Sequence, residues 1–416
     1  MLDRRRFIVG LTGGLALLGS GVLPGLKAWA QGNDSLANPL GPPTLPGGTL
    51  DSALLEALPG KRPLIKRSYR PPNYETPVAY LNEMFTPNDA FFVRYHQANI
   101  PQVNADAWRL SVKGDAAERP FELTFDRLRK EFEPVELVAV NQCSGNRRGL
   151  SQPHVPGVEW GFGAMGNARW KGARLKDILA KAGVKKDALE VAYDGADTPA
   201  LATTPDFQKT LPIWKALDEN TLVAYEMNGQ ALPHWNGYPA RLIAPGWTGT
   251  YWMKHLVTLQ VISQPFKNWW VNTAYRIPIG KFPVVDRFIS QESETSTPIT
   301  EMVVNSLITA VSPGAAVRVG DPVQVQGIAW DGGYGIQTVE VSVDGGQVWR
   351  LAALGKDYGR FSWRQWSYAF RPEAKGTATV LAKATNRIGA TQTFDLIFNP
   401  AGYHNNLVSQ TSLTVA

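Results

Sequence analysis

The only cysteine of the chain, Cys143, lies in a run of small and cationic residues. The run Asn141-Gln142-Cys143-Ser144-Gly145-Asn146-Arg147-Arg148 follows the apolar stretch Val135 to Val140, which predicts a strand. Neighbouring guanidinium groups favour the thiolate, the form in which cysteine acts as a nucleophile or binds a metal. A cysteine buried only for packing would have hydrophobic neighbours instead. The run therefore favours a chemical role, with a buried structural cysteine as the alternative.

Two chemistries are open to such a thiolate. A nucleophilic cysteine needs a histidine as its base, and the chain offers His96, His154, His234, His255 and His404. A cysteine protease is therefore possible, but no motif of that class supports it. The other chemistry is a soft metal, held by one thiolate and by a non-protein dithiolene that supplies the remaining ligands.

The cysteine run resembles the cysteine loop of the sulfite oxidase family of molybdopterin enzymes, closest to its bacterial periplasmic sulfite dehydrogenases. Between about residues 75 and 400, further segments resemble that family in order and spacing. They are Phe91 to His96, Gly157 to Trp160, Ala168 to Trp170, Ala224 to Gly229, Gly237 to Arg241, Pro245-Gly246 with Lys254, and Ser342 to Trp349. The last of these resembles the family's C-terminal dimerisation domain. Chance agreement of so many separate segments is remote.

The resemblance implies a role for each matching residue of the reaction site. Cys143 would be the protein ligand of molybdenum. The pocket for sulfite and its product sulfate would be formed by Arg94, Arg148, Trp160 and Tyr225, with His96 beside it. Guanidinium groups match the oxygens of such an anion, and a phenol can donate to a substrate oxygen.

The resemblance also implies which residues hold the cofactor, molybdenum-molybdopterin. They are Arg94, Tyr95, His96, Cys143, Asp197, Asn236, Arg241, Trp252, Met253 and Lys254. Asn236 stands where vertebrate members have a histidine. Those members also send an arginine from near the C-terminus into the anion pocket, whereas the last arginine here is Arg387. We therefore expect a pocket that is less positive or is completed by another residue.

The implied activity is oxidation of sulfite to sulfate, with the electrons passing to a separate c-type cytochrome. We expect no haem in this chain, because it has neither a His-Pro-Gly-Gly segment nor a C-x-x-C-H haem-attachment site. The first alternative is a reductase on the same scaffold that acts on nitrate or on a sulfoxide. A non-enzymatic binding protein is the second, but it would have no need of the cysteine-arginine run.

Composition excludes several other classes of protein. The chain has 416 residues, of which 44% are hydrophobic and 19% charged, so that it has ample material for two or three folded domains. A disordered chain or a membrane-spanning mature protein does not fit these values. The formal net charge of +6 is too small to indicate nucleic acid as a partner, but it suits a local basic pocket.

The N-terminus resembles an export signal. Arg4-Arg5-Arg6-Phe7 precedes an apolar, glycine-rich run from Ile8 to Leu23, and Ala28-Trp29-Ala30 is a typical cleavage site. The paired arginines favour the twin-arginine route, which carries folded proteins, and therefore predict a periplasmic location. An ordinary Sec signal or an uncleaved anchor is the alternative.

The whole chain divides into four predicted parts. They are the signal peptide (1–30), an irregular Pro-rich segment (31–75), a molybdopterin-binding catalytic domain (76–290) and a dimerisation domain (297–416). In the catalytic domain, short strand-like runs mix with few helices, and Arg174 to Ala182 is the clearest helix, ending at Gly183. Alternating valines from residue 317 onward predict a β-sandwich of immunoglobulin type. Because it contains no cofactor motif and resembles the family's dimerisation domain, we expect it to serve packing or a homodimer. The expected fold class is thus α+β, followed by that sandwich.

Overall fold

A computed structural model describes residues 55–283, 294–311 and 316–416. The predicted signal peptide (1–30), and the predicted irregular segment as far as residue 54, lie outside the described residues. From residue 55 onward that segment is not irregular, because it contains three short strands whose side chains are all buried or half-buried. Tyr74 is fully buried in the third of them, so a hydrophobic anchor overrides the proline-rich composition here.

The described residues of the larger, N-terminal part form sixteen strands and four short α-helices. The strands are β1 (Leu55–Glu56), β2 (Leu64–Ser68), β3 (Asn73–Glu75), β4 (Val93–Arg94), β5 (Arg109–Lys113), β6 (Phe121–Thr124), β7 (Pro134–Gln142), β8 (Met165–Arg174), β9 (Glu190–Gly195), β10 (Gln208–Pro212), β11 (Leu222–Met227), β12 (Gln230–Ala231), β13 (Arg241–Ile243), β14 (Leu256–Ile262), β15 (Arg276–Pro278) and β16 (Ser296–Pro298). The helices are α1 (Phe125–Lys130), α2 (Leu175–Ala182), α3 (Ile213–Ala216) and α4 (Trp269–Asn272).

These strands form four sheets. Their orders are β1-β2-β3-β4, β10-β9-β14-β5-β6, β12-β11-β8-β7 with β13 added to β11, and β15-β16. All described pairs among these sixteen strands are antiparallel except β5 with β14. The predicted mixture of strands and few helices is present, and the described chain is mostly β.

Helix α2 shows how the sequence specifies one of these elements. Leu175, Ile178, Leu179 and Ala182 recur at helical spacing and are all fully buried. Gly183 follows the helix with a φ of 71°, and its N–H donates to the carbonyls of the last turn. The predicted helix and its glycine terminus are confirmed.

In the C-terminal part, the residues that the structure describes form nine strands in two sheets. The strands are β17 (Asn305–Val311), β18 (Ala316–Val317), β19 (Val323–Trp330), β20 (Ile336–Ser342), β21 (Arg350–Leu351), β22 (Ala353–Leu354), β23 (Arg364–Phe370), β24 (Gly376–Asn386) and β25 (Ser409–Val415). Their orders are β17-β19-β23-β22 and β18-β25-β24-β20-β21. Valines of both sheets share one core, as alternation predicts. The immunoglobulin-type classification stays a prediction.

The two parts meet next to the cysteine. A second core contains Val140 and Met165 from the N-terminal part and Trp330 and Trp363 from the C-terminal part. The indole N–H of Trp330 also donates to the side-chain oxygen of Gln142, the residue before the cysteine, at 2.5 Å. The C-terminal part therefore supports the end of β7, where the cysteine run begins.

Candidate active site

Cys143 lies directly after β7, where the strand turns into a tight loop. Its backbone N–H donates to the carbonyl of Ala164 at 2.9 Å, and its carbonyl accepts from the N–H of Asn146 at 3.0 Å. The residue is 8% exposed, and it lines a cavity with about 620 Å³ of empty space, including the part open to solvent. The lone thiol of the chain is thus held by the backbone at a cavity wall, as a ligand-bearing loop requires.

Most of the predicted site residues line this same cavity. They are Arg94, His96, Cys143, Asp197, Asn236, Arg241, Trp252, Met253 and Lys254. These residues come from strands β4 and β13 and from the segments after β4, β7, β9, β12 and β13. Four predicted residues do not line it: Tyr95, Arg148, Trp160 and Tyr225. The cavity also contains residues that the sequence did not indicate, among them Asn141, Phe207, Thr250 and Tyr275.

One side of the cavity is cationic. Burial lowers the pKa of Lys254 to about 7 and the pKa of Arg241 to about 9. Asp197 is the nearby carboxylate; burial raises its pKa, and the charge of Lys254 opposes that shift. Charged groups held out of water at such a cost favour an anionic ligand that restores their charge. A phosphate group has the required charge.

Three buried polar atoms on the cavity wall have no hydrogen-bond partner among the described residues: Oδ1 of Asn141, Oγ1 of Thr250 and Nε of Arg241. The rest of the Arg241 guanidinium is used, because Nη1 donates to the carbonyl of Asn236 at 3.0 Å and Nη2 to that of Trp252 at 3.2 Å. Buried groups of this kind normally have partners. The cavity therefore fits a ligand that offers both donors and acceptors, as a pterin with a phosphate does.

Asn236 is engaged by the protein on both polar atoms of its side chain. Its Oδ1 accepts from Nζ of Lys61 at 2.6 Å, and its Nδ2 donates to the carbonyl of Phe92 at 3.1 Å. Lys61 is buried and also donates to the carbonyls of Asn88 and Phe91. Asn236 thus lines the cavity as part of a fixed internal network.

Arg94, His96 and Tyr275 form a second cluster on the cavity wall, next to Lys254, whose Nζ donates to the carbonyl of Arg94. Nη2 of Arg94 lies 3.4 Å from the hydroxyl of Tyr275, and Nε2 of His96 contacts the same hydroxyl. The His96 ring stacks on Phe207 with 3.5 Å between centroids. Burial, assisted by the charges of Arg94, Lys254 and Lys209, holds the pKa of His96 well below its usual value, so the ring is neutral.

Tyr275 has a left-handed backbone, with a φ of 58°. This conformation is uncommon for a bulky residue and costs of order 1 kcal/mol or more. Burial raises the pKa of its phenol, and the charges of Arg94 and Arg148 oppose that shift. The phenol is therefore protonated at neutral pH and can donate to an anion in the cavity.

Tyr225, which the resemblance places in the anion pocket, does not line this cavity. It lies on β11 at a bulge between Ala224 and Glu226. Its ring packs edge-on to Phe125 of α1, with 6.4 Å between centroids, and the Arg129 guanidinium lies 5.8 Å from it. The side chain thus belongs to the packing of α1 on the sheet.

Arg148 and Trp160 lie behind the cysteine loop. Nε of Arg148 donates to the carbonyl of Ala401 at 2.7 Å, and its Cζ lies 5.2 Å from the centroid of the Tyr403 ring. Trp160 is fully buried in the core that also contains Cys143, and its carbonyl accepts from the N–H of Gly149 at 2.9 Å. Arg148 therefore supplies charge close to Tyr275, while Trp160 supports the loop.

Tyr95 and Arg147 have structural contacts outside the cavity. The hydroxyl of Tyr95 is 2.7 Å from Nε2 of His255, and Nζ of Lys254 lies 3.9 Å from the Tyr95 ring centroid. Arg147 was expected to act on the thiol together with its neighbour, but it donates to the carbonyls of Ser306 and Leu407 at 2.6 and 2.9 Å. Its guanidinium is used to bind the C-terminal part.

Comparison with known proteins defines the class. Residues 97–270 match the family model of the oxidoreductase molybdopterin binding domain, and residues 296–415 match that of the Mo-co oxidoreductase dimerisation domain. The structure is similar to the crystal structure of the sulfane dehydrogenase SoxCD from Paracoccus pantotrophus, with a TM-score of 0.69. At 23% identity, over 90% of this chain and 94% of that one, this likeness concerns the fold. Fold and cavity together define a molybdopterin oxidoreductase.

Individual relatives narrow the class to one family. Sulfite oxidase of Gallus gallus is 35% identical over 77% of this chain and 70% of its own length. Mitochondrial sulfite oxidase of Homo sapiens is 35% identical over 79% of this chain, which spans 61% of that protein. The nitrate reductase [NADH] of Hordeum vulgare is 30% identical over 84% of this chain and 40% of its own length. The chain belongs to the sulfite oxidase family of molybdopterin enzymes.

Proposed function

We propose that this protein oxidises sulfite to sulfate at a molybdenum-molybdopterin centre. The observation that carries the proposal is the meeting of two different environments at one thiol. Cys143 lines a cavity whose wall carries two clusters: the buried cations Arg241 and Lys254, and the pair Arg94 and Tyr275, here called the substrate side. The first cluster suits the phosphate of a cofactor, and the second suits a small oxyanion.

Each residue has a defined task in the proposed reaction, in which sulfite and water give sulfate, two protons and two electrons. When bound through Cys143, the cofactor supplies the redox chemistry and accepts the electron pair. Arg94 binds and orients the anion, and the charge of Arg148 raises the affinity of the same region for it. The protonated hydroxyl of Tyr275 donates to an anion oxygen. His96 and Phe207, stacked on each other, fix this side of the cavity and limit its water.

The cofactor would be held by the cluster around Arg241 and Lys254. Arg241 has a free Nε, Lys254 is a buried ammonium, and Asn141 and Thr250 provide an unused acceptor and hydroxyl. Backbone groups near Trp252 and Met253 lie on the same wall. An anionic pterin would thus stabilise the chain by satisfying groups that otherwise lie buried without partners.

The electron acceptor, location and assembly are part of the proposal. A two-electron centre needs an exit, and we propose a separate c-type cytochrome and no haem in this chain. The paired arginines at residues 4–6 support export by the twin-arginine route to the periplasm. The match of residues 296–415 to a dimerisation domain supports a homodimer, built on a C-terminal sandwich of immunoglobulin type. Among the described residues, no helix is long and apolar enough to cross a membrane.

One assay tests the central claim. Purified protein with its molybdenum content measured is supplied with sulfite, and reduction of ferricyanide and of cytochrome c is followed. Nitrate and methionine sulfoxide, each with a reduced dye as electron donor, are run beside it. We expect turnover with sulfite and none with nitrate or methionine sulfoxide. Molybdenum-loaded protein that does not oxidise sulfite but reduces nitrate would favour the second candidate, a nitrate reductase. The resemblance to the nitrate reductase of Hordeum vulgare supports that candidate.

A further inference from the structure

A loop of the C-terminal part reaches the back of the substrate side of the cavity. Its bend at Gly402 is braced by Asn399, whose Nδ2 donates to the carbonyl of Tyr403 at 2.8 Å and whose Oδ1 accepts the Tyr403 N–H at 3.0 Å. Tyr403 is only 7% exposed. A buried tyrosine is thus presented on a loop whose own side chains hold it in shape.

The arginines of the cysteine loop bind this segment from the other side. Nε of Arg148 donates to the carbonyl of Ala401 at 2.7 Å, and Nη1 of Arg147 donates to that of Leu407 at 2.9 Å. Nδ2 of Asn405 returns a hydrogen bond to the carbonyl of Arg147 at 3.2 Å. The loop and the cysteine run are therefore fixed to each other across about 250 residues of sequence.

Close approach at this point depends on a glycine. Gly402 has a φ of 59°, and a Cβ there would lie 2.8 Å from Cγ of Arg148 and 2.6 Å from a methyl group of Val155. Such distances are too short for a side chain. The backbone of the loop therefore packs directly on the aliphatic stem of Arg148.

The Tyr403 ring touches two residues of the substrate side at once. It lies parallel to the Tyr275 ring, with 5.8 Å between centroids and 6° between planes. The Arg148 guanidinium carbon lies 5.2 Å from the centroid of the Tyr403 ring. The Tyr403 hydroxyl makes no hydrogen bond with the described residues, whereas the Tyr403 ring contacts both a cation and a second aromatic ring. The ring, rather than the hydroxyl, accounts for its position.

We propose that Tyr403 is a positioning residue for substrate binding, through which the C-terminal part of the chain sets the affinity for the oxyanion. Its ring holds the Arg148 guanidinium by a cation–π contact and holds the Tyr275 ring by stacking. Tyr275 lines the cavity and Arg148 lies behind the cysteine loop with its charge directed at the same region, so Tyr403 acts through these two residues and does not touch the substrate. This inference rests on the proposed function, since it assigns the anion to that side of the cavity.

Paired substitutions separate ring from hydroxyl. Tyr403→Phe keeps the ring, and Tyr403→Leu removes it but keeps an apolar side chain. Tyr368, which lies on β23 beside Phe370, provides the matched control as Tyr368→Phe and Tyr368→Leu. Molybdenum content and Tm are measured for every variant, so that loss of loading or folding is recognised. If Tyr403→Leu gives no loaded protein, Tyr403→Met takes its place, because methionine fills irregular space.

Two measurements are made on the holoenzyme: the steady-state KM and kcat for sulfite, and the Kd of sulfate for the oxidised protein by calorimetry. We expect Tyr403→Leu to raise both KM and Kd by about tenfold, with kcat at saturating sulfite changed far less. In Tyr403→Phe and in both Tyr368 variants, KM and Kd should stay within about twofold of the wild-type values. The calorimetric arm is independent of turnover, so inactivity towards sulfite would refute the proposed function without deciding this inference. Unchanged Kd in Tyr403→Leu, or equal losses in the leucine and phenylalanine variants, would overturn it.

Discussion

Nη2 of Arg94 lies 3.4 Å from the hydroxyl oxygen of Tyr275, and both residues line the cavity that contains Cys143. A guanidinium and a protonated phenol next to each other offer several donors and no strong acceptor. Such a pair suits a small oxyanion better than a cation or a neutral molecule. Whatever binds between this pair and Cys143 is held by charge and by directed hydrogen bonds together.

The first prediction separates two tyrosines. Tyr275→Phe removes the hydroxyl that contacts Arg94 and His96, and we expect kcat/KM for sulfite to fall by about tenfold or more, the usual range for a hydrogen bond to a charged group. Tyr225→Phe, the matched control, should leave kcat/KM within about twofold, because Tyr225 packs on α1. A larger loss in Tyr225→Phe than in Tyr275→Phe would contradict the described cavity.

The second prediction concerns charge. Arg94→Gln and Arg148→Gln each remove a cation from the substrate side, and we expect kcat/KM to fall at least about tenfold, corresponding to about 1.5 to 3 kcal/mol. Arg62→Gln removes the same charge from an exposed pair with Asp89 and should leave kcat/KM unchanged. Steady-state kinetics from pH 6 to pH 9 check this. Equal behaviour of the three variants would exclude a local role for Arg94 and Arg148.

Regular elements could be predicted from the sequence because their signal is local. The spacing of Leu175, Ile178 and Leu179 specifies α2, and the apolar run before Cys143 specifies the end of β7. The residues that line the cavity in register with the cysteine, such as Arg94 and Lys254, were identified through the family resemblance. Both kinds of inference depend only on residues close to a recognisable segment.

Tyr275 and Tyr403 could not be found in this way. Tyr275 reaches the cavity through a left-handed backbone between α4 and β15, and no neighbouring glycine in the sequence indicates that conformation. Tyr403 meets Arg148 only because the C-terminal part folds against the cysteine loop. Tyr225 is the complementary case. It stands in a segment that resembles the family, but a bulge in β11 and the position of α1 determine where its ring lies. Tertiary packing, rather than local pattern, determines all three.

The third prediction concerns pH and a buried lysine. Burial lowers the pKa of Lys61 to about 7 in the folded chain, while the unfolded chain has the ordinary value of about 10.4. Between these values the unfolded state binds the additional proton, so the contribution of Lys61 to stability rises with pH by up to about 1.4 kcal/mol per unit. Lys61→Met lacks this contribution.

Thermal unfolding of the two proteins between pH 6 and pH 10 checks this expectation. The Tm of the wild type should rise relative to that of Lys61→Met as the pH increases through 7 to 10. Lys186→Met serves as control, because Lys186 is exposed and should give no such trend. A constant difference between wild type and Lys61→Met over the range would mean that Lys61 is already equally protonated in both states.

The fourth prediction concerns the thiol. Cys143→Ser should yield a folded protein with negligible sulfite oxidation, because a hydroxyl is a poor replacement for a thiolate towards a soft metal. Cys143 makes its loop contacts through the backbone, so the substitution leaves those hydrogen bonds in place. Molybdenum analysis, Tm and turnover are measured on the same sample. Near-normal turnover in a molybdenum-loaded variant would refute the ligand role.

The fifth prediction concerns the path of the electrons. We expect the purified chain to contain molybdenum and no haem, and sulfite to reduce it without consuming oxygen. The cavity that holds Cys143 is partly open to solvent, so a carrier must approach its mouth closely to accept electrons. Encounters between redox proteins are usually small and weak. Reduction of cytochrome c should therefore be fast at low salt, slow down as salt screens the approach, and leave no lasting complex on gel filtration. A haem in the isolated chain, or efficient coupling of sulfite oxidation to oxygen without a carrier, would contradict this path.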